Sequence, residues 1–264
     1  MENTAKITSR DNTRLVNARR IRDGKDRSQI FIEGRRLARE ALRSELDICG
    51  CLASDEFGDD ELIDAIRERT TNVSRVADRL FKTIADTNEP QGIVLIAKRP
   101  SSPGMETALK SARVPLVLFL SEVNNPSNLG AILRTAEAAG VAGVMVSAGS
   151  ADVFSPKSVR AAMGSIFRLQ ILENAEFDTV IAWARERELR TVAADISARQ
   201  SYAEIDWKQP LLLIFGSESH GLSVEQLSAV DEKILIPMEN SVDSLNLSVS
   251  AGIILFEAKR QLTD

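Results

Sequence analysis

The chain has 264 residues, of which 44% are hydrophobic and 27% are charged, and its formal net charge is −5. This length allows one large domain or two modest ones with a sizeable core, and the composition is that of a globular protein rather than a disordered one. No apolar run approaches the roughly 20 residues of a membrane span, and the N-terminus has no apolar signal segment. We therefore expect a cytoplasmic protein.

The distribution of charge and the cysteines both bear on the kind of ligand. Residues 1–43 hold 12 lysines and arginines against 6 acids, a net of +6, so the rest of the chain carries −11. A basic head on an acidic body indicates a polyanion site, although a solvated arginine-rich helix explains the same count. Cys49 and Cys51 have no further cysteine or histidine cluster that would complete a zinc site, so we expect no metal.

Residues 1–98 are predicted to form a small domain in which helices and strands alternate. The predicted helices cover 11–27, 35–44, 58–70 and the second half of 73–86, and the predicted strands cover 28–34, 46–54, the start of 73–86 and 91–99. The segment 99–113 is rich in proline and serine, and it is predicted to be a linker.

Residues 114–264 alternate between apolar strands and helices, which predicts an α/β domain with a mostly parallel sheet covered on both faces. Predicted strands cover 115–120, 141–147, 166–172, 189–196, 210–216 and 232–238, and predicted helices cover 127–140, 155–164, 177–188, 223–230 and 248–261. The last helix is apolar nearly all round until Glu257, so we expect it to be buried, in part against another subunit.

Ligands of open α/β sheets bind outside the carboxyl ends of the strands, and three strand ends here are unusually polar. After the first, Asn128 is expected to cap the next helix, and Arg134 follows Gly130 by one helical turn. A guanidinium there suits a phosphate or a carboxylate. A structural ion pair of Arg134 with Glu137 is the alternative.

The second polar strand end is the segment 211–223. Gly216 and Gly221 flank a single acid, Glu218, but the spacing matches neither the dinucleotide-binding fingerprint nor the P-loop, which disfavours a nicotinamide enzyme and a P-loop NTPase. His220 is the only histidine, and without a nucleophile elbow it does not support a hydrolase. We expect His220 to lie on the loop surface.

The third polar strand end follows Pro237. Its polar loop leads to Ser244 and Asn246 at the entrance of the last helix, where unpaired N–H groups favour polar ligands. Simple capping of that helix by Ser244 or Ser248 is the alternative.

Together, the three segments resemble the SpoU/TrmH family of RNA ribose 2′-O-methyltransferases. The resemblance covers residues 115–262 and rests on N-P-S-N-L-G-A-I-L-R-T-A, on F-G-S-E, and on I-P-M followed by S-L-N-L-S. The run F-I-E-G-R-R-L-A-R-E-A-L is similar to the small RNA-binding domain, itself similar to a ribosomal protein, that many members carry. The resemblance implies a C-terminal trefoil knot whose loops hold S-adenosyl-L-methionine, no metal, and a homodimer formed through the last helix.

The resemblance also implies roles for individual residues. The matching catalytic positions are Asn128, Arg134, Glu218, Ser244 and Asn246. The positions whose backbone would hold the cofactor are Gly216, Ile236 and Leu245. The basic head would bind RNA, and its candidate arginines are Arg10, Arg14, Arg19, Arg20, Arg35 and Arg36.

Two positions depart from the family pattern, because Ser219 and Asn240 stand where members often have glycine. Asparagine tolerates left-handed backbone better than other non-glycine residues, so Asn240 is expected to keep the local conformation. Ser219 leaves the shape of its turn open.

The function implied is methyl transfer from S-adenosylmethionine to a ribose 2′-hydroxyl, with large-subunit (23S) ribosomal RNA as the expected substrate. Arg134 would contact the hydroxyl and an adjacent RNA phosphate, which would help to accept the proton, since arginine itself keeps its proton. Transfer RNA as substrate, an RNA-binding factor that no longer catalyses, and another α/β nucleotide enzyme are the alternatives.

Overall fold

The computed structural model describes residues 6–101, 104–111, 114–240 and 242–263. The chain divides into two compact units. One contains the residues up to Ser101 together with Phe154–Arg168, and the other contains the remainder. None of the described helices is both long enough and apolar enough to cross a bilayer.

The first unit is built around a four-stranded sheet. Its elements up to Ser101 are α1 (Thr13–Arg22), β1 (Gln29–Glu33), α2 (Arg35–Leu42), β2 (Ile48–Ser54), α3 (Asp60–Arg69), β3 (Val73–Val76), α4 (Asp78–Ile84) and β4 (Ile93–Lys98). The strand order is β1-β4-β2-β3, in which β4 is antiparallel to both neighbours and β3 is parallel to β2. Leu15, Ala18 and Ile21 are buried along one side of α1, as their spacing predicted.

The rest of the chain forms the second unit, except for one segment that groups with the first unit. Its elements are α5 (Glu106–Ser111), β5 (Leu116–Leu120), α6 (Pro126–Ala139), β6 (Gly143–Ser147), α7 (Pro156–Ala162), a 3-10 helix (Ser165–Phe167), β7 (Ile171–Ala175), α8 (Phe177–Glu186), β8 (Arg190–Ala194), β9 (Gln200–Ser201), β10 (Leu211–Phe215), α9 (Val224–Ala229), β11 (Glu232–Leu235) and α10 (Leu247–Thr263).

The segment Phe154–Arg168, which carries α7 and the 3-10 helix, groups with the first unit. Within that unit Arg168 forms an ion pair with Glu40 at 2.7 Å, and the guanidinium of Arg99 lies 4.8 Å from the centre of the Phe154 ring. Helix α7 also contacts β1. This segment lies within the residues 114–264 that were predicted to form the second domain.

The second unit is an α/β structure with a seven-stranded sheet of order β7-β6-β5-β10-β8-β11-β9. Each of its six strand pairings is parallel, which confirms the predicted fold class. The central strands β5 and β10 are buried at every position, because helices cover both faces of such a sheet. The expected trefoil knot stays a prediction.

Several predicted elements differ from the observed ones. The segment predicted as a strand at 166–172 begins as a 3-10 helix, and β7 starts only at Ile171. Helix α5 lies inside the segment predicted as a linker, and the two-residue strand β9 was not predicted.

The last helix, α10, is not buried all round within this chain. It packs against α6, and its buried residues are Ala251, Ile254, Leu255 and Ala258. On the rest of its surface Val249 and Phe256 are half exposed, at 49% and 50%. The helix therefore has one face in the core and one apolar face that the chain leaves open.

Candidate cofactor and active site

The sheet topology brings the polar segments of the sequence together. Strands β5, β10, β8 and β11 are neighbours in this order and are parallel, so their carboxyl ends meet at one edge. The loops that follow them cover residues 121–125, 216–223, 195–199 and 236–246. Three of these loops are the segments that the sequence singled out, and the loop after β8 is an addition.

The first loop ends in a cap that differs from the predicted one. Asn125, not Asn128, is the N-cap of α6, and its side chain accepts a hydrogen bond from the N–H of Ser127 at 2.9 Å. Pro126 occupies the first helical position, where its missing N–H does no harm. Asn128 therefore lies inside the first turn of α6, and its side-chain amide remains available for other contacts.

That amide belongs to a hydrogen-bonded network that joins the three segments. Asn128 Nδ2 donates to Glu218 Oε1 at 3.1 Å, and Asn128 Oδ1 accepts from Asn246 Nδ2 at 3.1 Å. Glu218 also accepts from the backbone N–H groups of Asn124, at 3.1 Å, and Asn125, at 3.2 Å. Three of the five predicted catalytic residues are thus in direct contact.

The network sets the ionisation of Glu218. Partial burial acts to raise the pKa of this carboxyl, but the hydrogen bonds from the Asn128 side chain and from the backbone N–H groups of Glu218, Asn124 and Asn125 outweigh it. The pKa of Glu218 is consequently lowered below its ordinary value, because each donor favours the charged form. Glu218 is a carboxylate at neutral pH, suited to orient Asn128 rather than to donate a proton.

Asn246 has a second role as the residue before α10. Its Oδ1 accepts from the N–H of Ser248 at 2.9 Å and from the Ser248 hydroxyl at 2.6 Å. Capping at this helix therefore comes from Asn246, and the alternative of capping by Ser244 or Ser248 is wrong. The Ser244 side chain is exposed and lines the neighbouring cavity.

The turn after β10 explains both of its glycines. The N–H of Ser217 donates to the carbonyl of Gly221 at 3.2 Å, and the N–H of Gly221 donates back to Ser217 at 3.0 Å. A Cβ at Gly216 would collide with the backbone of Gly221, so the glycine is required by the turn itself. Gly221 has φ +65°, a conformation that favours glycine.

Asn240 and Ser219, the two positions that depart from the family pattern, differ in backbone conformation. Asn240 has φ +56°, which confirms the prediction that asparagine keeps the left-handed conformation there. Ser219 is not among the residues with positive φ, and its hydroxyl lies 2.7 Å from Nδ1 of His220. His220 is exposed, as expected, but it also lines the cavity beside the network.

A cavity of about 580 Å³ opens at this edge of the sheet. Residues from all four loops line it, among them Asn128, Glu218, Ser244, Leu245 and Asn246. Its volume lies in the range of roughly 300–1,000 Å³ that is usual for small-molecule sites. Among the residues that the structure describes, no cluster of histidine, cysteine, aspartate and glutamate suits a metal ion.

The walls of the cavity include residues that sequence reasoning missed. Asp195 and Ile196 follow β8 and line the cavity, as does Ile236 after β11, and only Ile236 was expected. Gly216 does not line the cavity itself, although its neighbours Phe215 and Ser217 do. An acid directly after an apolar strand was the available signal for Asp195.

Arg134 stands apart from the network. It is exposed on α6, six residues after Asn128 and so about 9 Å further along the helix axis. It does not line the cavity, and its side chain has no hydrogen bond or ion pair with the described residues, including Glu137. The guanidinium is therefore free to meet a ligand from outside the chain.

Some arginines of the basic head have structural partners. The Arg14 guanidinium donates to the hydroxyl of Ser74. Arg19 donates to Thr83 Oγ1 at 3.3 Å and to the carbonyl of Arg10 at 2.8 Å. These two side chains hold the first unit together in addition to any other role.

The other candidates are less constrained. The Arg35 guanidinium lies 4.8 Å from the centre of the Phe57 ring. The side chains of Arg10, Arg20 and Arg36 are exposed and make no hydrogen bond or ion pair within the described part of the chain. Arg36 also lines a cavity of about 220 Å³ in the first unit. These three are the cations best placed to meet an external polyanion.

Comparison with family models matches both parts of the chain. Residues 115–256 match the SpoU rRNA Methylase family, and residues 31–103 match RNA 2'-O ribose methyltransferase substrate binding. The first match alone spans more than half of the chain and contains every loop of the site described above.

Individual proteins agree with these matches. An uncharacterized tRNA/rRNA methyltransferase of Synechocystis is 31% identical, and the match covers 97% of this chain and 94% of the relative. The 23S rRNA (guanosine(2553)-2'-O)-methyltransferase RlmP of Bacillus subtilis is 27% identical, and the match covers 96% of this chain and 98% of the relative. The AdoMet-bound rRNA methyltransferase from Sinorhizobium meliloti has a TM-score of 0.84, 31% identity and 98% coverage of both chains. The chain thus belongs to the SpoU rRNA methylase family and is an RNA methyltransferase that uses S-adenosylmethionine.

Proposed function

We propose that this protein methylates a ribose 2′-hydroxyl in large-subunit ribosomal RNA. The observation that carries the proposal is the network of Asn128, Glu218 and Asn246 at a cavity of about 580 Å³, assembled from the three segments that resemble the family. The Bacillus subtilis relative, named for this reaction on 23S rRNA, supports the substrate. We expect such an activity in the cytoplasm, and the bacterial rRNA methyltransferase relative supports this expectation.

The cavity suits S-adenosylmethionine in volume and in the chemistry of its lining. Phe215, Ile234 and Ile254 are buried and line its apolar wall, which suits an adenine ring. Ile236 and Leu245 also line it, in keeping with the proposed backbone contacts to the adenosyl group, to which the carbonyl and N–H groups beside Gly216 would add. The cofactor supplies a methyl group on a sulfonium, an electrophile that needs no metal.

The residues of the network would position the reacting groups. Glu218 holds Asn128, and Asn128 holds Asn246, so the amides face the cavity in fixed orientations. Ser244 adds a hydroxyl at the same wall. Arg134 would bind the RNA, contacting the 2′-hydroxyl and a neighbouring phosphate that accepts the proton, since its own guanidinium stays protonated.

We also propose a division of labour along the chain. Residues 1–98 would bind RNA through their exposed arginines, residues 99–113 would form the linker, and residues 114–264 would carry the reaction. The match of residues 31–103 to a substrate-binding family model supports the first assignment. By analogy with the family, the segments that follow β10 and β11 would form the knot.

A homodimer through the second unit is the expected assembly. The support is the half-exposed apolar face of α10, with Val249 and Phe256, beside a buried face that already packs on α6. Helices with apolar residues on two faces usually bury both.

The test of the proposed function is methyl transfer to RNA. Radiolabelled S-adenosylmethionine is incubated with unmodified total RNA and with unmodified large-subunit precursor particles, and the 2′-O-methyl site is mapped. We expect label in large-subunit ribosomal RNA, and a loss of at least about a hundredfold in rate for Arg134→Ala, comparable to removing one charge-stabilising group from an active site. Lys208→Ala, which removes an exposed cation of the same unit, is the matched control.

The other outcomes separate the alternatives. Label in transfer RNA would favour the second substrate candidate, which the name of the Synechocystis relative also includes. Cofactor binding without label on either substrate would indicate an RNA-binding factor that no longer catalyses. Full activity of Arg134→Ala would remove Arg134 from the mechanism.

A further inference from the structure

His220 is held in a defined place beside the cofactor cavity. Its Nδ1 lies 2.7 Å from the hydroxyl of Ser219, and its backbone N–H donates to the hydroxyl of Ser217 at 3.3 Å. The turn that carries it is closed by the backbone hydrogen bonds between Ser217 and Gly221. The imidazole is exposed and lines the cavity, so one ring nitrogen is anchored and the other remains for a ligand.

The imidazole of His220 differs in charge type from the other ionisable side chains that line the cavity. The acids that line it are Asp195 after β8, Glu218 after β10 and Asp243 before α10. His220 is the one basic side chain among the described residues of the lining. A ligand with an anionic group therefore finds a single side chain here that can offer a positive charge.

S-adenosylmethionine carries three charges, a sulfonium, an ammonium and a carboxylate. The two cations are matched by the acids of the lining, whereas the carboxylate would meet repulsion from the same acids. The buried apolar residues Phe215 and Ile234 suit the adenine at the inner wall, which leaves the amino-acid end toward the exposed opening. His220 and Asp243 are exposed and lie on that lining.

We propose that His220, oriented by Ser219, binds the carboxylate of the methionine part of the cofactor. In the charged ring both nitrogens are donors, so Nδ1–H donates to Ser219 Oγ and Nε2–H donates to the carboxylate. Ser219, which stands where relatives often have glycine, is then a positioning residue for the ring. The proposal rests on the cofactor assignment and adds a specific contact to it.

The test is binding of two ligands that differ in the amino-acid group. S-adenosylhomocysteine keeps the carboxylate, and 5′-methylthioadenosine lacks the whole amino-acid end. Titration calorimetry on the full chain measures both at pH 6 and pH 8, because imidazole is the side chain that ordinarily changes charge in this interval. A charge-assisted hydrogen bond predicts severalfold tighter binding of S-adenosylhomocysteine at pH 6, and no such change for 5′-methylthioadenosine.

Variants assign the effect to the ring. His220→Gln is expected to weaken S-adenosylhomocysteine at pH 6 by about tenfold, to remove most of its pH dependence and to leave 5′-methylthioadenosine unchanged. Ser219→Gly should have a smaller effect of the same kind. Unchanged binding of 5′-methylthioadenosine also shows that the variants fold.

Two results would overturn the proposal while leaving the cofactor assignment intact. One is equal binding of S-adenosylhomocysteine by the parent protein and His220→Gln at both pH values, in which case backbone N–H groups hold the carboxylate. The other is an equal loss for both ligands, which would make the ring a structural part of the turn. Binding of neither ligand by the parent protein would overturn the cofactor assignment and, with it, this contact.

Discussion

Glu218 links the loop after β10 to the start of α6 through three hydrogen bonds, and its charge is the reason they are strong. Since the folded pKa lies below the ordinary value of about 4.3, its stabilising contribution is fully present above that value. The contribution is lost as the pH falls through the lowered folded pKa. For Glu218→Gln we expect a decrease of about 1 kcal/mol in the free energy of unfolding at pH 7.

Urea unfolding at pH 7 and pH 3 checks this expectation, and the difference between parent and variant should shrink at the lower pH. Glu176→Gln is the control, because Glu176 precedes α8 and makes no capping hydrogen bond with its side chain. A difference for Glu218→Gln that stays constant from pH 7 to pH 3 would contradict the assigned role of the charge.

The sequence predicted which residues form the site more accurately than it predicted their positions in the helices and loops. Asn128, Glu218 and Asn246 were predicted from three distant segments, and the structure joins them by hydrogen bonds. The cap of α6 was predicted three residues late, because a run of asparagine, serine and proline offers several capping residues and only the backbone turn selects one. Asp195 was missed because the predicted strand 189–196 ran through it, whereas β8 ends at Ala194 and leaves Asp195 in the loop that lines the cavity.

At the scale of elements, the turn from Ser217 to Gly221 depends on a glycine before it. For Gly216→Ala we expect loss of S-adenosylhomocysteine binding and a lower melting temperature, since the new Cβ would overlap the carbonyl group of Gly221 and the start of Leu222. The backbone, unlike the end of a flexible side chain, cannot move aside without opening the turn. Calorimetry and thermal unfolding measure both effects.

The matched control is Gly58→Ala, where a Cβ meets nothing within 4 Å and φ is not positive. It should bind and melt like the parent protein. Normal binding by Gly216→Ala would show that the turn adapts and that its geometry is not needed for the cofactor.

The predicted helices and strands were wrong where the local sequence pattern does not reflect the position of the segment in the folded sheet. Strand β7 lies at the edge of the sheet and includes the polar residues Glu173 and Asn174, so its apolar signal was weak. The predicted strand therefore extended over the apolar residues of the preceding 3-10 helix. Strand β9 has two residues, too few for any periodicity. The central strands β5 and β10 were predicted correctly because burial on both faces makes them apolar throughout.

For the whole molecule, the basic head predicts an RNA affinity that depends on salt. Each lysine or arginine that neutralises a phosphate releases counterions, so the logarithm of the binding constant falls linearly with the logarithm of salt concentration. Arg20→Ala and Arg36→Ala should each weaken binding and reduce that slope by about one. Filter binding of ribosomal RNA over a salt series measures the slope.

Arg67→Ala is the control for this series, because it removes the same charge from the first unit at a site outside the basic head, where Arg67 pairs with Asp64 at 2.8 Å. Its slope should equal that of the parent protein. An unchanged slope in Arg20→Ala and Arg36→Ala would exclude these two arginines from the RNA interface.

The exposed surface of α10 predicts how the whole molecule assembles. Val249 and Phe256 leave α10 with a half-exposed apolar face, and a second copy of the chain is the expected cover. A glutamate at Val249 would lie in the first turn of α10, where the helix dipole favours a negative charge, so the fold should tolerate it. In a dimer interface the same glutamate would be an unpaired buried charge, which is strongly unfavourable.

We therefore expect Val249→Glu to lower the measured mass from dimer to monomer in light scattering, while its circular dichroism stays that of the parent protein. Val224→Glu is the matched variant, because Val224 is 79% exposed on α9 and also stands at a helix start. It should remain dimeric. A parent protein that is monomeric at every concentration would contradict the proposed dimer. A dimer that survives Val249→Glu would place its contact away from this end of α10.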